Sequence, residues 1–151
     1  MRYNDGVVLF WEKLGTHKIM ALASSVNDMP TVRNVSCIFY GGRIYFKTDR
    51  EFRKTKQLLQ NPNVALSCGG VQVEGSARNT GLVIEEPGCR FESLYEQYWA
   101  DSYNAYPHKE SEILIEVTPR FVEIWDQEED NRGFQVFVDF REENAWRQDY
   151  D

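Results

Sequence analysis

The chain has 151 residues, of which 42% are hydrophobic and 14% aromatic, so it is long enough to bury a core as one domain without disulfides or a structural metal. Its formal net charge of −7 argues against general nucleic-acid binding. The sequence contains no apolar run of membrane-spanning length, no signal-peptide pattern and no clustered cysteine or histidine ligands, so we expect a cytoplasmic protein without a metal site.

The first half of the sequence predicts a helix followed by strands that are joined by short turns. Apolar residues at helical spacing predict a helix from about Asp5 to Leu14, and Gly15 is a plausible stop. The pairs Gly41-Gly42 and Gly69-Gly70 indicate β-hairpins. The predicted strands cover residues 18–24, 31–40, 43–48, 63–68 and 71–79, and a second helix covers residues 51–60.

The second half predicts a third helix and two further strands. Pro87 begins the helix, which runs to Trp99 and is followed by a loop that includes residues 102–109. A long strand over residues 112–126, bent at Pro119, precedes a last strand over residues 134–140, and the polar tail 142–151 is expected to fray. The pattern therefore predicts a single domain, 1–151, that is mainly β: an antiparallel barrel of six to seven strands with about three helices.

A cationic segment from Arg33 to Lys56 stands out in this acidic chain. It holds seven Lys or Arg residues against two acids, whereas residues 85–151 hold 18 acids and six bases. Arg53 and Lys54 fall in the first turn of a predicted helix, where free amides and the helix dipole already favour an anion. The segment is either a phosphate site or a set of solvated surface charges, which most Lys and Arg residues are.

Arg33 is predicted to lie within a strand between apolar neighbours, where a charge is costly unless it is paired. Its partner is either an internal carboxylate or a bound phosphate. From the residues alone, the internal salt bridge is the commoner arrangement.

Five sequence pieces together resemble the pyridoxamine 5′-phosphate oxidase-like family of FMN-binding split barrels. They are Pro30-x-x-Arg33-x-Val35, Tyr45-Phe46-Lys47-Thr48-Asp49, Phe52-Arg53-Lys54-x-x-Gln57-Leu58, Asn61-Pro62-Asn63-Val64 and Gln72-Val73-x-Gly75-x-Ala77. The resemblance covers about residues 5–126. It implies a six-stranded antiparallel split barrel that forms a homodimer, with FMN in a groove between the subunits.

The resemblance also implies which residues contact the cofactor. Those that would hold the phosphate are Arg33, Arg53 and Lys54. Those that would line the isoalloxazine ring are Asn34, Val35, Ser36, Lys47 and Thr48. The hydroxyls of Ser36 and Thr48 could instead satisfy local backbone groups.

Four further candidates lie later in the chain. The resemblance implies that Gln72 corresponds to a glutamine that contacts the flavin across the dimer, although it could also be a solvated hairpin residue. Trp125 could cover a flavin ring or belong to the core or the dimer interface. Tyr103 and Tyr106 flank a predicted turn and are candidates for a lid or an interface.

The sequence departs from the vitamin B6 oxidases of this family at two places. Its C-terminal part lacks their Arg–His pair, and Ile38 stands where they have a substrate-binding lysine. We therefore expect an FMN-dependent oxidoreductase that acts on another small organic substrate, with NAD(P)H as a possible electron donor. No catalytic side chain is assigned, because the flavin itself accepts hydride. The alternatives are a non-enzymatic flavin carrier or sensor, and a binder of another planar anion such as haem or a deazaflavin.

Overall fold

The computed structural model describes residues 1–106 and 110–150, which form a β-sheet of eight antiparallel strands and four helices. The strands are β1 His17–Val26, β2 Met29–Tyr40, β3 Arg43–Asp49, β4 Asn63–Cys68, β5 Val71–Leu82, β6 Glu112–Gln127, β7 Gly133–Asp139 and β8 Asn144–Asp149. The helices are α1 Tyr3–Leu14, α2 Arg53–Gln60, α3 Gly88–Tyr98 and α4 Ala100–Ala105. No helix in this part of the chain is long and apolar enough to cross a membrane.

Six of the strands close into a barrel, which confirms the predicted antiparallel split barrel. The strand order is β3-β2-β1-β4-β5-β6, and β3 pairs with β6 to complete the circle. At Pro119 of β6, where the sequence predicted a bend, the pairing with β5 shifts its register between Glu74 and Gly75 of β5. Gly75 is required there, because an added Cβ would lie 2.7 Å from the Thr118 carbonyl oxygen.

The barrel interior is filled by alternate residues of the strands, as the period of two demands. Fully buried examples are Met20, Leu22, Cys37, Ile44, Phe46, Val73, Val117 and Val122. Helix α1 adds Phe10 and Leu14 to this core.

A second, smaller apolar cluster lies on the outside of the barrel beneath α3. Ile38, Val83, Phe91 and Leu114 form it, and Tyr45 and Tyr95 pack at its margin. Helix α3 therefore covers part of the outer surface formed by β2, β3 and β6. By contrast, β1 and the first half of β2 expose Ile19 and Val32 on the outside.

Two expectations about the C-terminal half were wrong. The tail predicted to fray forms β8, which pairs with β7 along its whole length. Ala145 of β8 is only 3% exposed, because it packs beside Gly6 of α1. The remaining residues of this edge strand are polar or exposed, so their composition resembled that of a loose tail. Asp151 lies outside the described residues.

The segment after α3 was predicted to be a loop, but part of it forms α4. The described residues thus contain four helices and eight strands, rather than about three helices and seven strands. Pro107, His108 and Lys109 of the predicted loop lie outside the described residues.

Candidate anion and cofactor site

The start of α2 is fixed to the end of β3 by a short hydrogen-bond network. The Thr55 hydroxyl donates to the Asp49 carbonyl at 2.7 Å and lies 2.9 Å from the Thr48 hydroxyl. The Asp49 carboxylate accepts the Glu51 amide at 2.9 Å and the Ser111 hydroxyl at 2.8 Å. Thr48, Asp49 and Thr55 are all buried, so the first turn of α2 is held rigidly.

The first amides of α2 are available to an anion. Phe52 precedes the helix and offers no capping side chain, and its carbonyl accepts the amides of Thr55 and Lys56 at 3.1 and 3.2 Å. For the amides of Arg53 and Lys54, no acceptor is found within the described residues. Free amides of this kind make a helix start attractive to phosphate.

Arg33 lies beside this helix and is held by neutral oxygens. Its guanidinium donates to the Ser24 hydroxyl at 2.9 Å, the Thr31 hydroxyl at 3.1 Å and the Gln57 side-chain oxygen at 2.8 Å. The internal salt bridge that the residues alone favoured is wrong: no carboxylate of the described chain pairs with Arg33.

The cations at this position repel one another. Burial lowers the pKa of Arg33, and the charge of Arg53 lowers it further. Burial also lowers the pKa of Lys54, with the charge of Arg33 as the second cause. We call Arg33, Arg53, Lys54 and the first amides of α2 the anion seat. Such a cluster of like charges fits a phosphate monoester, whose charge would relieve the repulsion.

Glu51, the acid that precedes α2, pairs with Lys56 and not with a cation of the anion seat. Glu51 lies 3.8 Å from Lys56, and both side chains are largely exposed. Lys56 is thus a solvated residue of the outer helix face.

A cavity of about 390 Å³ adjoins the anion seat, a size within the usual range of small-molecule sites. Of the residues predicted to contact a cofactor, it is lined by Asn34, Val35, Ser36, Lys47, Thr48 and Lys54. Its other lining residues are Asp49, Phe52, Tyr95, Ser102, Tyr106 and Glu112. Strands β2, β3 and β6 thus form one wall, while α3 and the α4 segment form the other.

Lys47 is fixed in the wall of this cavity. Its ammonium lies 2.8 Å from a Glu92 oxygen, 3.5 Å from a Glu112 oxygen and 4.5 Å from the centre of the Tyr95 ring. The side chain is only 11% exposed. Two carboxylates thus balance the Lys47 charge, whereas neutral groups hold Arg33.

Sequence reasoning missed Tyr95 and Ser102 in the wall opposite the strands, and Glu112 at the start of β6. These residues reach the cavity only because the barrel closes and α3 packs against it. Nothing in their local sequence indicates a ligand. Tyr106, considered as a lid residue, does line the cavity, and Tyr103 packs near Tyr95.

Gln72 and Trp125 do not line this cavity. Trp125 is 47% exposed and packs near Tyr150. Gln72 is exposed on β5, and the strand registers place it in one row with Ser67, Ala21 and Asn34. Three strand spacings separate it from Asn34, which is about 14 Å.

A family model described as pyridoxamine 5′-phosphate oxidase matches residues 10–126 of the chain. No curated protein matches the sequence.

Solved structures share the fold at low sequence identity. A pyridoxamine 5′-phosphate oxidase-related, FMN-binding protein from Nostoc punctiforme PCC 73102 is 10% identical, with a TM-score of 0.60 over 100% of this chain and 98% of the other. PhzG from Burkholderia lata 383, solved with tetrahydrophenazine-1-carboxylic acid, is 15% identical, with a TM-score of 0.64 over 89% and 82% of the two chains. The haem storage protein HutZ from Vibrio cholerae is 13% identical, with a TM-score of 0.60 over 80% and 92%.

Proposed function

The chain belongs to the pyridoxamine 5′-phosphate oxidase family, and from that premise we propose that it binds FMN and acts as an oxidoreductase on a small organic substrate. The observation that carries the proposal is the anion seat. Arg33, Arg53 and Lys54 repel one another, and the side-chain partners of Arg33 are all neutral. A phosphate monoester supplies the missing negative charge.

The cavity next to the anion seat would take the isoalloxazine ring. Its β2 side is formed by Asn34, Val35 and Ser36, and its β3 side by Lys47 and Thr48. When bound, FMN would supply hydride-transfer chemistry, so the protein's residues need only bind and orient the cofactor and substrate. The rigid attachment of Thr48 and Lys47 suits that task.

Vitamin B6 itself is not the substrate we propose. Ile38, which stands where the B6 oxidases have a substrate-binding lysine, is fully buried under α3. A side chain in that environment has no access to the cavity. The substrate is therefore a different small molecule, and NAD(P)H is the electron donor to test first.

Among the described residues, no histidine is placed to bind a haem iron at this cavity. His17 stacks on Tyr98 at 4.5 Å and packs edge-on to Trp99, and it does not line the cavity. The anion seat, moreover, offers one concentrated cation cluster, which suits a single phosphate group.

We further propose a homodimer that forms through the open face of the barrel. The outer surface of β1, β2, β4 and β5 carries small side chains such as Ala21, Ala23 and Ser67 together with exposed Ile19 and Val32. Small side chains allow two sheets to approach closely, and the exposed apolar ones favour burial.

The register of these strands supports a shared site. Asn34 and Gln72 lie at the two ends of one row across the open face. A two-fold axis that runs between β1 and β4 in the plane of the interface would place the partner subunit's Gln72 opposite Asn34. Gln72 of each subunit would then line the cavity of the other subunit, although it does not line the cavity of its own subunit.

The proposed activity is tested on the purified protein. We expect it to show the visible absorption band of oxidised flavin after incubation with FMN and removal of the unbound excess. Anaerobic addition of NADH or NADPH should bleach that band, and an electron acceptor should restore it. A protein that retains FMN but is reduced by neither nucleotide would favour the carrier or sensor alternative. A protein that retains no FMN would contradict the proposal.

A further inference from the structure

We propose that Gln57 is a positioning residue of the anion seat: its neutral side-chain oxygen orients the Arg33 guanidinium without neutralising it, so that the seat selects phosphate monoesters over uncharged flavins. This inference rests on the proposed cofactor role of the seat.

The geometry of the Gln57 amide is fixed by two donors. Arg33 donates to its Oε1 atom at 2.8 Å, and the Thr31 hydroxyl donates to the same atom at 3.1 Å. Arg33 also donates to the Thr31 hydroxyl at 3.1 Å, which closes a three-membered ring of hydrogen bonds. Because Arg33 and Thr31 both donate, the Gln57 oxygen and not its NH2 group must face them. This fixes the orientation of the Gln57 amide.

Gln57 also connects the two elements that carry the cations. It lies four residues after Arg53 and three after Lys54, so it occupies the face of α2 that continues from both. Through Gln57, this helix face is tied to Arg33 on β2. The position of the guanidinium relative to the helix start thus depends on the Gln57 amide.

The neutrality of this contact matters as much as its geometry. A glutamate at position 57 would accept the same hydrogen bonds and form an ion pair with Arg33, which would stabilise the free protein. It would also remove the repulsion that a bound anion relieves, and it would place a negative charge near the phosphate. An amide holds Arg33 equally well in space and leaves its charge for the ligand.

The test compares Gln57→Glu and Gln57→Met with Gln60→Glu. The last variant adds the same charge at the exposed final residue of the same helix. Affinities for FMN and for riboflavin are measured by titration of flavin fluorescence at fixed ionic strength. We expect Gln57→Glu to weaken FMN binding about tenfold or more, equivalent to about 1.4 kcal/mol, and to leave riboflavin binding unchanged. Gln57→Met should weaken FMN binding by a smaller factor, and Gln60→Glu should have little effect.

Thermal unfolding of the free protein distinguishes a change in how Arg33 is oriented from a general loss of stability. Gln57→Glu should unfold at the same or a higher temperature than the parent, because it gains an ion pair with Arg33. A variant that unfolds earlier and loses FMN and riboflavin equally would show a merely structural role and overturn the inference.

The remaining outcomes separate this inference from the proposal it rests on. If the parent discriminates FMN from riboflavin and Gln57→Glu binds FMN as tightly as Gln60→Glu does, the role of Gln57 is overturned and the cofactor proposal stands. If the parent binds neither flavin, or binds both equally, both proposals are overturned.

Discussion

Lys54 is the residue whose charge state should govern cofactor affinity at alkaline pH. Burial lowers its pKa, and the neighbouring Arg33 charge lowers it further. In the free protein Lys54 therefore loses its proton at a lower pH than an ordinary lysine, whose pKa is about 10.4. A bound phosphate favours the charged form and raises the pKa again, so binding above the pKa of the free group requires uptake of a proton.

The predicted result is an FMN affinity that is full near neutral pH and falls as the pH rises through the pKa of Lys54. Fluorescence titrations from about pH 7 to about pH 10 measure it. The control is Lys54→Arg, which stays charged over this range and should flatten the alkaline decline. An affinity that declines equally in both proteins would place the titrating group elsewhere.

Single residues of the anion seat could be identified from the sequence because their signal is local. Arg53 and Lys54 follow a strand end and open a helix, and both features are visible in a short window. The neutral partners of Arg33 could not be identified, because Ser24 and Gln57 come from other elements. The sequence alone therefore favoured a salt bridge that the fold does not make.

At the scale of elements, α1 packs so closely against β8 that there is no space for a side chain at Gly6. A Cβ added at Gly6 would lie 2.7 Å from the Ala145 Cβ and 3.1 Å from a Val138 methyl carbon. Replacing glycine by alanine inside an exposed helix normally stabilises a protein by up to about 1 kcal/mol. Here the added methyl must push β8 or α1 away.

We therefore predict that Gly6→Ala lowers the free energy of unfolding by about 1–3 kcal/mol, as overpacked cores do. Urea denaturation monitored by circular dichroism measures the change. Asn4→Ala, an exposed substitution in the same helix, is the control and should change stability little. A stabilised Gly6→Ala protein would mean that β8 is not packed against α1 as described.

The elements themselves differ in how well the sequence indicates them. The six barrel strands show apolar alternation, and two of the hairpins that join them turn at glycine pairs, which made the antiparallel barrel predictable. Strand β8 has a single buried residue, Ala145, so it has almost no pattern of period two. The short helix α4 has no buried residue, and its sequence therefore resembled a loop.

At the scale of the whole molecule, the open face of the barrel is the surface that we expect a second subunit to cover. Val32 is 68% exposed on this face, and Val8 is 55% exposed on α1. A charge buried in a subunit interface without a partner opposes association, whereas the same charge on an exposed helix does not.

Sedimentation analysis should therefore show a dimer for the parent and for Val8→Glu, and a monomer for Val32→Glu. The monomeric variant should also bind FMN more weakly, because the partner subunit's Gln72 no longer reaches the cavity. A parent protein that is monomeric and still holds FMN would refute the shared site.

The most direct test of the anion seat is FMN binding by Arg53→Ala/Lys54→Ala, with Arg50→Ala/Lys56→Ala as the control. Both double variants remove two positive charges from the same segment, but exposed Arg50 and Lys56 lie outside the seat. The first should lose about 3–6 kcal/mol of FMN binding free energy, because two charge-assisted contacts are removed, and the second should bind nearly as the parent does. Equal FMN affinity in the two double variants would contradict the assignment of the phosphate to the anion seat.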